Sequence, residues 1–212
     1  MLEINPMPQP CFAIKSHPEG TLSLHTCMRS SGLSLCPAEL RGTAESFIRA
    51  SYRASFQANP SQLLPHMLVS LDQQQRVDMA LGMKPADEGP LFLEQYLDVP
   101  IENAITARMG YPVARHAIVE IGNLAVTRPG AIRNAIAHCT HWLFEEGYEW
   151  VAFTGTRTLR HSFARLGLAP VTLAPASPER LPAANRSRWG TYFDHQPELC
   201  IGHIAEGRRA LP

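Results

Sequence analysis

The sequence has almost no lysine. Of its 19 basic residues all but Lys15 and Lys84 are arginine, and 19 Asp and Glu cancel them to a formal net charge of zero. A protein that binds nucleic acid irrespective of sequence carries a basic excess, so that class is disfavoured. No apolar run approaches the ~20 residues of a membrane-spanning helix. Met1 to Cys11 holds neither a basic patch nor an apolar core, so no secretory leader is expected and a cytoplasmic location is. The five cysteines, Cys11, Cys27, Cys36, Cys139 and Cys200, are odd in number, scattered and without a Cys-x-x-Cys pair. Neither a zinc site nor a disulfide framework follows from them. Proline is missing from 131–169, although the chain holds 18. Because proline breaks helices and central strands, that block is the expected home of regular structure.

What is present suits one generous domain: 212 residues, 45% of them apolar, enough to bury a core. Residues 1–40 read as an N-terminal extension with one short strand near Cys11 to Ser16, 41–175 as the core, and 176–212 as a strand-containing extension completing the same domain. Thr43 is placed to cap a helix to about Gln57, with Phe47, Ile48, Tyr52 and Phe56 near one face. His66 to Leu71 and Arg76 to Gly82 form a hairpin pattern. Residues 91–98, LFLEQYLD, read as extended, and Asp98 as the cap of a short helix, Ile101 to Met109, closed by Gly110. Val113 to Ile121 reads as a strand that Gly122-Asn123 interrupts with a bulge, resuming at Leu124 to Val126. A helix to Glu146, a buried strand Glu149 to Thr154, a helix Leu159 to Leu166 capped by Thr158, and strands near Val171 and Glu198 complete the order. A hairpin followed by βαβα units implies an α/β protein with a central mixed sheet flanked by helices on both faces.

Three segments are candidates for chemistry. At Val126-Thr127-Arg128-Pro129-Gly130-Ala131-Ile132-Arg133 a strand gives way at once to a helix. Its free N–H groups and dipole suit phosphate, Gly130 and Ala131 permit close approach, and Arg128 and Arg133 add charge. The alternative is an ordinary strand-to-helix turn. The segment is neither a P-loop nor a dinucleotide fingerprint. Glu120 stands in an otherwise apolar strand. It is either a general base whose acidity burial weakens, or a structural ion-pair or strand-end residue. Glu94, Gln95, Tyr96 and Asp98 either line a cleft or pack and solvate. His138 and His141 lack a third ligand and read as packing or surface, so no metal is expected. Cys139 sits on an apolar helix face and reads as a packed thiol.

The run LAV-TRPGAIR-helix-Gly, then EWVAFT, then SFARLGL resembles the acyl-CoA-binding half of the Gcn5-related N-acetyltransferase (GNAT) superfamily. Over about residues 40–204 the chain more closely resembles the thermostable hemolysin family. LFLEQYLD (91–98), RHAIVEIGNLAV (115–126), the stretch 130–170 and WGTYFDHQPELCIGHI (189–204) carry that resemblance. RHAIVEIGNLAV is also similar to the Glu-containing strand of acyl-homoserine-lactone synthases. The resemblance implies a GNAT-like acyltransferase fold. It also implies a donor that is acyl-CoA or an acylated carrier protein, held by backbone N–H groups near Val126 and from Gly130 through Ala131 and Ile132 to Arg133. It makes Glu120 the base for a small amine acceptor, with Arg115, Glu94 and Asn123 recognising that acceptor. The superfamily often places a proton-donating Tyr where this chain has Phe163. Two alternatives accompany this reading: a membrane-active hemolysin-like protein, and a noncatalytic acyl-CoA-binding module that kept the fold.

Overall fold

The computed structural model describes residues 32–211, so the strand expected near Cys11 lies outside the described residues. The elements run β1 (Ser34–Leu35), α1 (Arg41–Phe56), β2 (His66–Leu71), β3 (Val77–Pro85), α2 (Ile101–Met109), β4 (Ile118–Val126), α3 (Ile132–Glu145), β5 (Trp150–Gly155), α4 (Arg157–Ala164), β6 (Val171–Pro175), α5 (Ala183–Arg186), β7 (Glu198–His203) and α6 (Ile204–Ala210). The strands form one sheet in the order β1-β2-β3-β4-β5-β7-β6. Its pairs are antiparallel except β4–β5. The expected mixed sheet is therefore present, with β7 inserted between β5 and β6.

Period-two alternation divides the core. On β2, Met67 and Val69 face α1 while Leu68 joins the layer under α3. The α1 stripe is Ala44, Ile48 and Tyr52, residues four apart on one helical face. On β4, Ile118 faces the layer that holds α2, and Val119 and Ile121 face α3. After Gly122-Asn123 the assignment inverts: Leu124 and Val126 face α3, and Ala125 faces α1. A register shift against β3 and a left-handed Asn123 (φ 55°) account for the inversion. One inserted residue moves every later side chain to the other face.

The parallel ladder between β4 and β5 runs only from Ile118↔Trp150 to Ile121↔Phe153. Beyond it Thr154 and Gly155 pair with β7, and Ala125 and Val126 pair with β3. The sheet thus opens between β4 and β5 just past the bulge.

Five local expectations are corrected. Residues Phe92–Tyr96 form a 3₁₀ helix rather than an extended segment. The Glu94 side chain accepts the Leu91 N–H at 2.7 Å while the Glu94 N–H reaches the Leu91 carbonyl, and this reciprocal pair curls the turn. The strand expected from Val113 begins at Ile118, because Arg115–Ala117 is a 3₁₀ turn. Thr43 lies inside α1, which continues a 3₁₀ turn at Ala38–Leu40 without a side-chain cap. Thr156, not Thr158, caps α4 through its contact with the Leu159 N–H, since β5 runs straight into that helix. Asp98 caps no helix: Pro100 precedes α2, and Asp98 pairs with Arg180 at 2.7 Å.

Candidate active site

Glu120 projects from β4 into the α1 and α2 side of the sheet and is only 4% exposed. Its oxygens accept the N–H of Phe92 at 2.8 Å and of Leu93 at 3.2 Å, the first residues of the 3₁₀ helix. Burial pushes its carboxyl up to about 7, against the opposing pull of those N–H groups and of Lys84. A carboxylate so placed exchanges protons near neutral pH, which is what a general base requires.

Arg115 and Glu94 do not line the cavity that Glu120 lines; they brace the segment that holds Glu120. Arg115 uses all its N–H donors: Nε to the Ala86 carbonyl, Nη1 to Glu94 and Glu102, Nη2 to Glu94 and the Gly89 carbonyl. Glu94 accepts in addition from Leu91 and Ile101 N–H. Burial opposes ionisation of Glu94, but Arg115 and those N–H groups outweigh it and hold the carboxyl at about 2. The geometry shown for these two residues is a brace. The guanidinium ties together 86–94 and α2, and so fixes the N–H pair under Glu120.

A cavity of about 430 Å³ opens in front of Glu120, lined among others by Lys84, Gln95, Phe92, Trp189 and Tyr192. A second, of about 490 Å³, runs along α3 from Ile132 past Ile136 and Cys139 to Leu143, and against Phe153, Leu159 and Phe163. The two share Tyr52, Gly122, Asn123, Thr154 and Tyr192 in their linings, so they meet where β4 and β5 part. Asn123 sits at that meeting. Its Oδ1 accepts the Leu64 N–H at 2.9 Å and draws 58–65 across the sheet. A Cβ on Gly82 would fall 2.8 Å from that oxygen, so only glycine permits the crossing.

Along the junction that sequence marks for phosphate, Ile132 lines the α3 cavity, while Arg128, Gly130 and Arg133 are exposed on the turn that leads to it. Val126 packs partly buried against the core, and Ala131 is the residue at the helix start, with no side chain capping it. A 3₁₀ turn at Pro129–Ala131 leads into it, and its Ala131 N–H reaches the Arg128 carbonyl at 2.9 Å, so an anion there would rely on the other N–H groups and the dipole of α3. Phe163 stacks on Phe153, ring centroids 4.9 Å apart, and brings no proton to the cavity. Where the two cavities meet, the hydroxyls are Tyr52, Thr154 and Tyr192, with Tyr192 Oη donating to Thr154 Oγ1 at 3.3 Å. Burial raises both tyrosines above their ordinary value, so they stay protonated. Of the residues that line these cavities, sequence reasoning marked Gln95 as a cleft candidate and gave no role to Lys84, Tyr52 or Thr154. Cys139 is an inert packed thiol that burial pushes up to about 12. Among the described residues no cluster of His, Cys, Asp and Glu is arranged for a metal.

The aromatic wall beside Glu120 is tied to α1. Thr191 and Asn59 N–H groups reach the Phe56 and Arg188 carbonyls at 2.8 and 2.7 Å. Trp189 and Tyr192 stand 5.2 Å apart, and Trp189 and Phe92 5.9 Å.

The sequence model of the family described as thermostable hemolysin matches residues 37–208. No curated protein matches by sequence. Among solved structures, FeeM, an N-acyl amino acid synthase from uncultured soil microbes, is similar with TM-score 0.55 and 11% identity, over 84% of this chain and 95% of that one. A putative arylalkylamine N-acetyltransferase of the yellow fever mosquito gives TM-score 0.55 and 10% identity, over 81% and 86%. The acyl-homoserine-lactone (AHL) synthase LasI gives 0.54 and 8%, over 81% and 89%. The shared property is the fold, that of GNAT-like acyltransferases.

Proposed function

The chain belongs to the thermostable hemolysin family, and from that premise we propose that it is an N-acyltransferase moving an acyl group from a thioester donor to a small amine. The carrying observation is Glu120. It is a buried carboxyl that titrates near neutrality, in a cavity that meets a long apolar one at the opening between β4 and β5. The similarity of fold to an N-acyl amino acid synthase, an N-acetyltransferase and an AHL synthase supports the same reaction class.

In this reading the amine enters on the Glu120 side and the thioester on the α3 side. Glu120 takes the proton that the attacking nitrogen sheds. The nitrogen forms a C–N bond to the acyl carbon, the C–S bond breaks, and the departing thiolate takes a proton from water. Preorganised N–H groups are what the surroundings add. Acyl-CoA and acylated carrier protein present the same thioester. The exposed start of α3 with Arg128 and Arg133 suits the phosphates of either, and the apolar cavity suits the acyl chain.

Thiol release by the purified protein, measured with acyl-CoAs, acylated carrier protein and a panel of amines, tests the reading. The expected result is amine-dependent release whose kcat/KM climbs with pH through about 7, following Glu120. Donor binding with no turnover of any amine would overturn it in favour of a noncatalytic binding module. Lysis of red cells by protein free of substrate would favour a directly membrane-active protein. No described helix is long and apolar enough to cross a membrane.

A further inference from the structure

Lys84 is one of two lysines in a chain that otherwise uses arginine, and it stands directly across the β3–β4 ladder from Glu120. Residues opposed in an antiparallel pair project to the same face, a few ångströms apart. Both line the same cavity of about 430 Å³. The Lys84 Nζ donates to the Pro90 carbonyl at 2.7 Å, its one hydrogen bond among the described residues, and its charge acts on Glu120. An ammonium has three donors, so two remain for a ligand. The cavity therefore offers a carboxylate and an ammonium side by side. Its remaining wall is mixed, with Tyr52, Phe92, Trp189 and Leu63 on the apolar part and Gln62, Gln95 and Thr154 on the polar part.

Resting on the acyltransferase reading above, we propose that the acceptor is an α-amino acid with an apolar or aromatic side chain. Its amine lies at Glu120, its carboxylate is paired with Lys84, and its side chain packs against Trp189 and Tyr52. A simple alkylamine offers no acceptor to the two remaining Lys84 donors, and a carboxylate offers a charged one. A diamine or polyamine would bring a second cation to Lys84, which charge repulsion opposes. The aromatic wall favours a side chain with area to bury.

The experiment uses matched acceptors with a fixed acyl-thioester donor: phenylalanine, phenylalaninamide and phenethylamine, and the leucine series. The wild type should give a kcat/KM for the amino acid roughly 10- to 100-fold above that of the amide or the decarboxylated amine, the range of one charge-assisted contact. Lys84→Met should collapse that ratio, and Lys84→Arg should restore part of it. A Lys84 that only supports the Pro90 carbonyl would lower all acceptors together and leave the ratio standing, which overturns the proposal. A wild type that prefers the decarboxylated amine overturns it as well. Calorimetry of the wild type with phenylalanine and phenethylamine reads the same preference without turnover or variants. Selective binding of phenylalanine with no thiol release would sink the acyltransferase reading and keep the amino-acid site; thiol release without carboxylate preference would do the reverse.

Discussion

On the Glu120 side of Asn123 the polar groups behind the cavity hold one another. Arg115 spends every N–H on Glu94, Glu102 and two carbonyls, Glu94 fixes the 3₁₀ turn, and that turn's N–H groups hold Glu120. On the α3 side the wall is Ile132, Ile136, Leu143, Phe153 and Phe163, with hydrocarbon facing hydrocarbon. Directional bonds fix atoms to within tenths of an ångström, as proton transfer requires. Apolar packing fixes a shape and a length, as selection among acyl chains requires. The two halves should therefore fail differently: the first through rate and cooperative stability, the second through specificity.

The largest expected effect is at Glu120. Glu120→Gln should cut kcat/KM by roughly 10²–10⁴ with donor affinity retained, read by thiol release and calorimetry. Its stability effect has an unusual sign. The folded value, about 7, lies above the ordinary carboxylate value of 4.5. Between those limits the folded chain binds more protons than the unfolded one, so the Glu120 contribution falls as pH rises from about 4.5 to about 7. Urea titrations across that window should show the wild type losing up to about 3 kcal/mol relative to the variant.

Next is the brace. Arg115→Ala strands Glu94 and Glu102, partly buried at side-chain exposures of 15% and 24%. Its cost should be about 3 kcal/mol in chemical unfolding. The Glu94 value is depressed to about 2 in the wild type. Its contribution is full above about 4.5 and vanishes as pH falls toward 2, the opposite slope to Glu120. Removing Arg115 should flatten that acid limb. A variant as stable as the wild type would show that the clamp holds nothing.

These two halves were unequally legible in the sequence. The α3 side was readable because it is local: a proline-free block, helical spacing of Ile132, Ala135, Ile136 and Leu143, and Gly147 to stop the helix are properties of neighbours. The Gly122-Asn123 bulge showed itself as small and polar residues inside an apolar strand. The clamp was hidden because Arg115 meets Glu94 across 21 residues of chain and Ala86 across 29. Without those long-range contacts LFLEQYLD alternates like a strand. Tyr52, Lys84 and Tyr192 converge from α1, β3 and the turn before β7, and spacing says nothing about convergence. The faint signal for Lys84 was its rarity.

On the α3 side, Phe163 lines both the α3 cavity and a neighbouring one of about 280 Å³, together with Thr140, Leu143, Val151 and Phe153. Phe163→Ala should join them and shift donor preference toward longer acyl chains. The gain should be about fourfold per additional CH₂ accommodated, the equivalent of ~0.8 kcal/mol each. Comparing kcat/KM across a donor series reads this directly. An unchanged length profile would place the acyl chain elsewhere.

The smallest effect should come from the exposed turn at the start of α3. Arg133 and Arg128 are solvated there, and an exposed charge contributes little in water and less in salt. Arg133→Ala should weaken donor binding by no more than about fivefold at low ionic strength, and the difference should shrink further at 0.5 M salt. Calorimetry with a CoA thioester at both salt concentrations measures it. Retained affinity in Arg133→Ala at low salt would leave the backbone N–H groups of α3 as the phosphate ligands. A loss of a hundredfold or more would mean that donor binding closes the turn and buries Arg133. In that case the α3 side would also be built on a directional bond, one that forms only when the donor arrives.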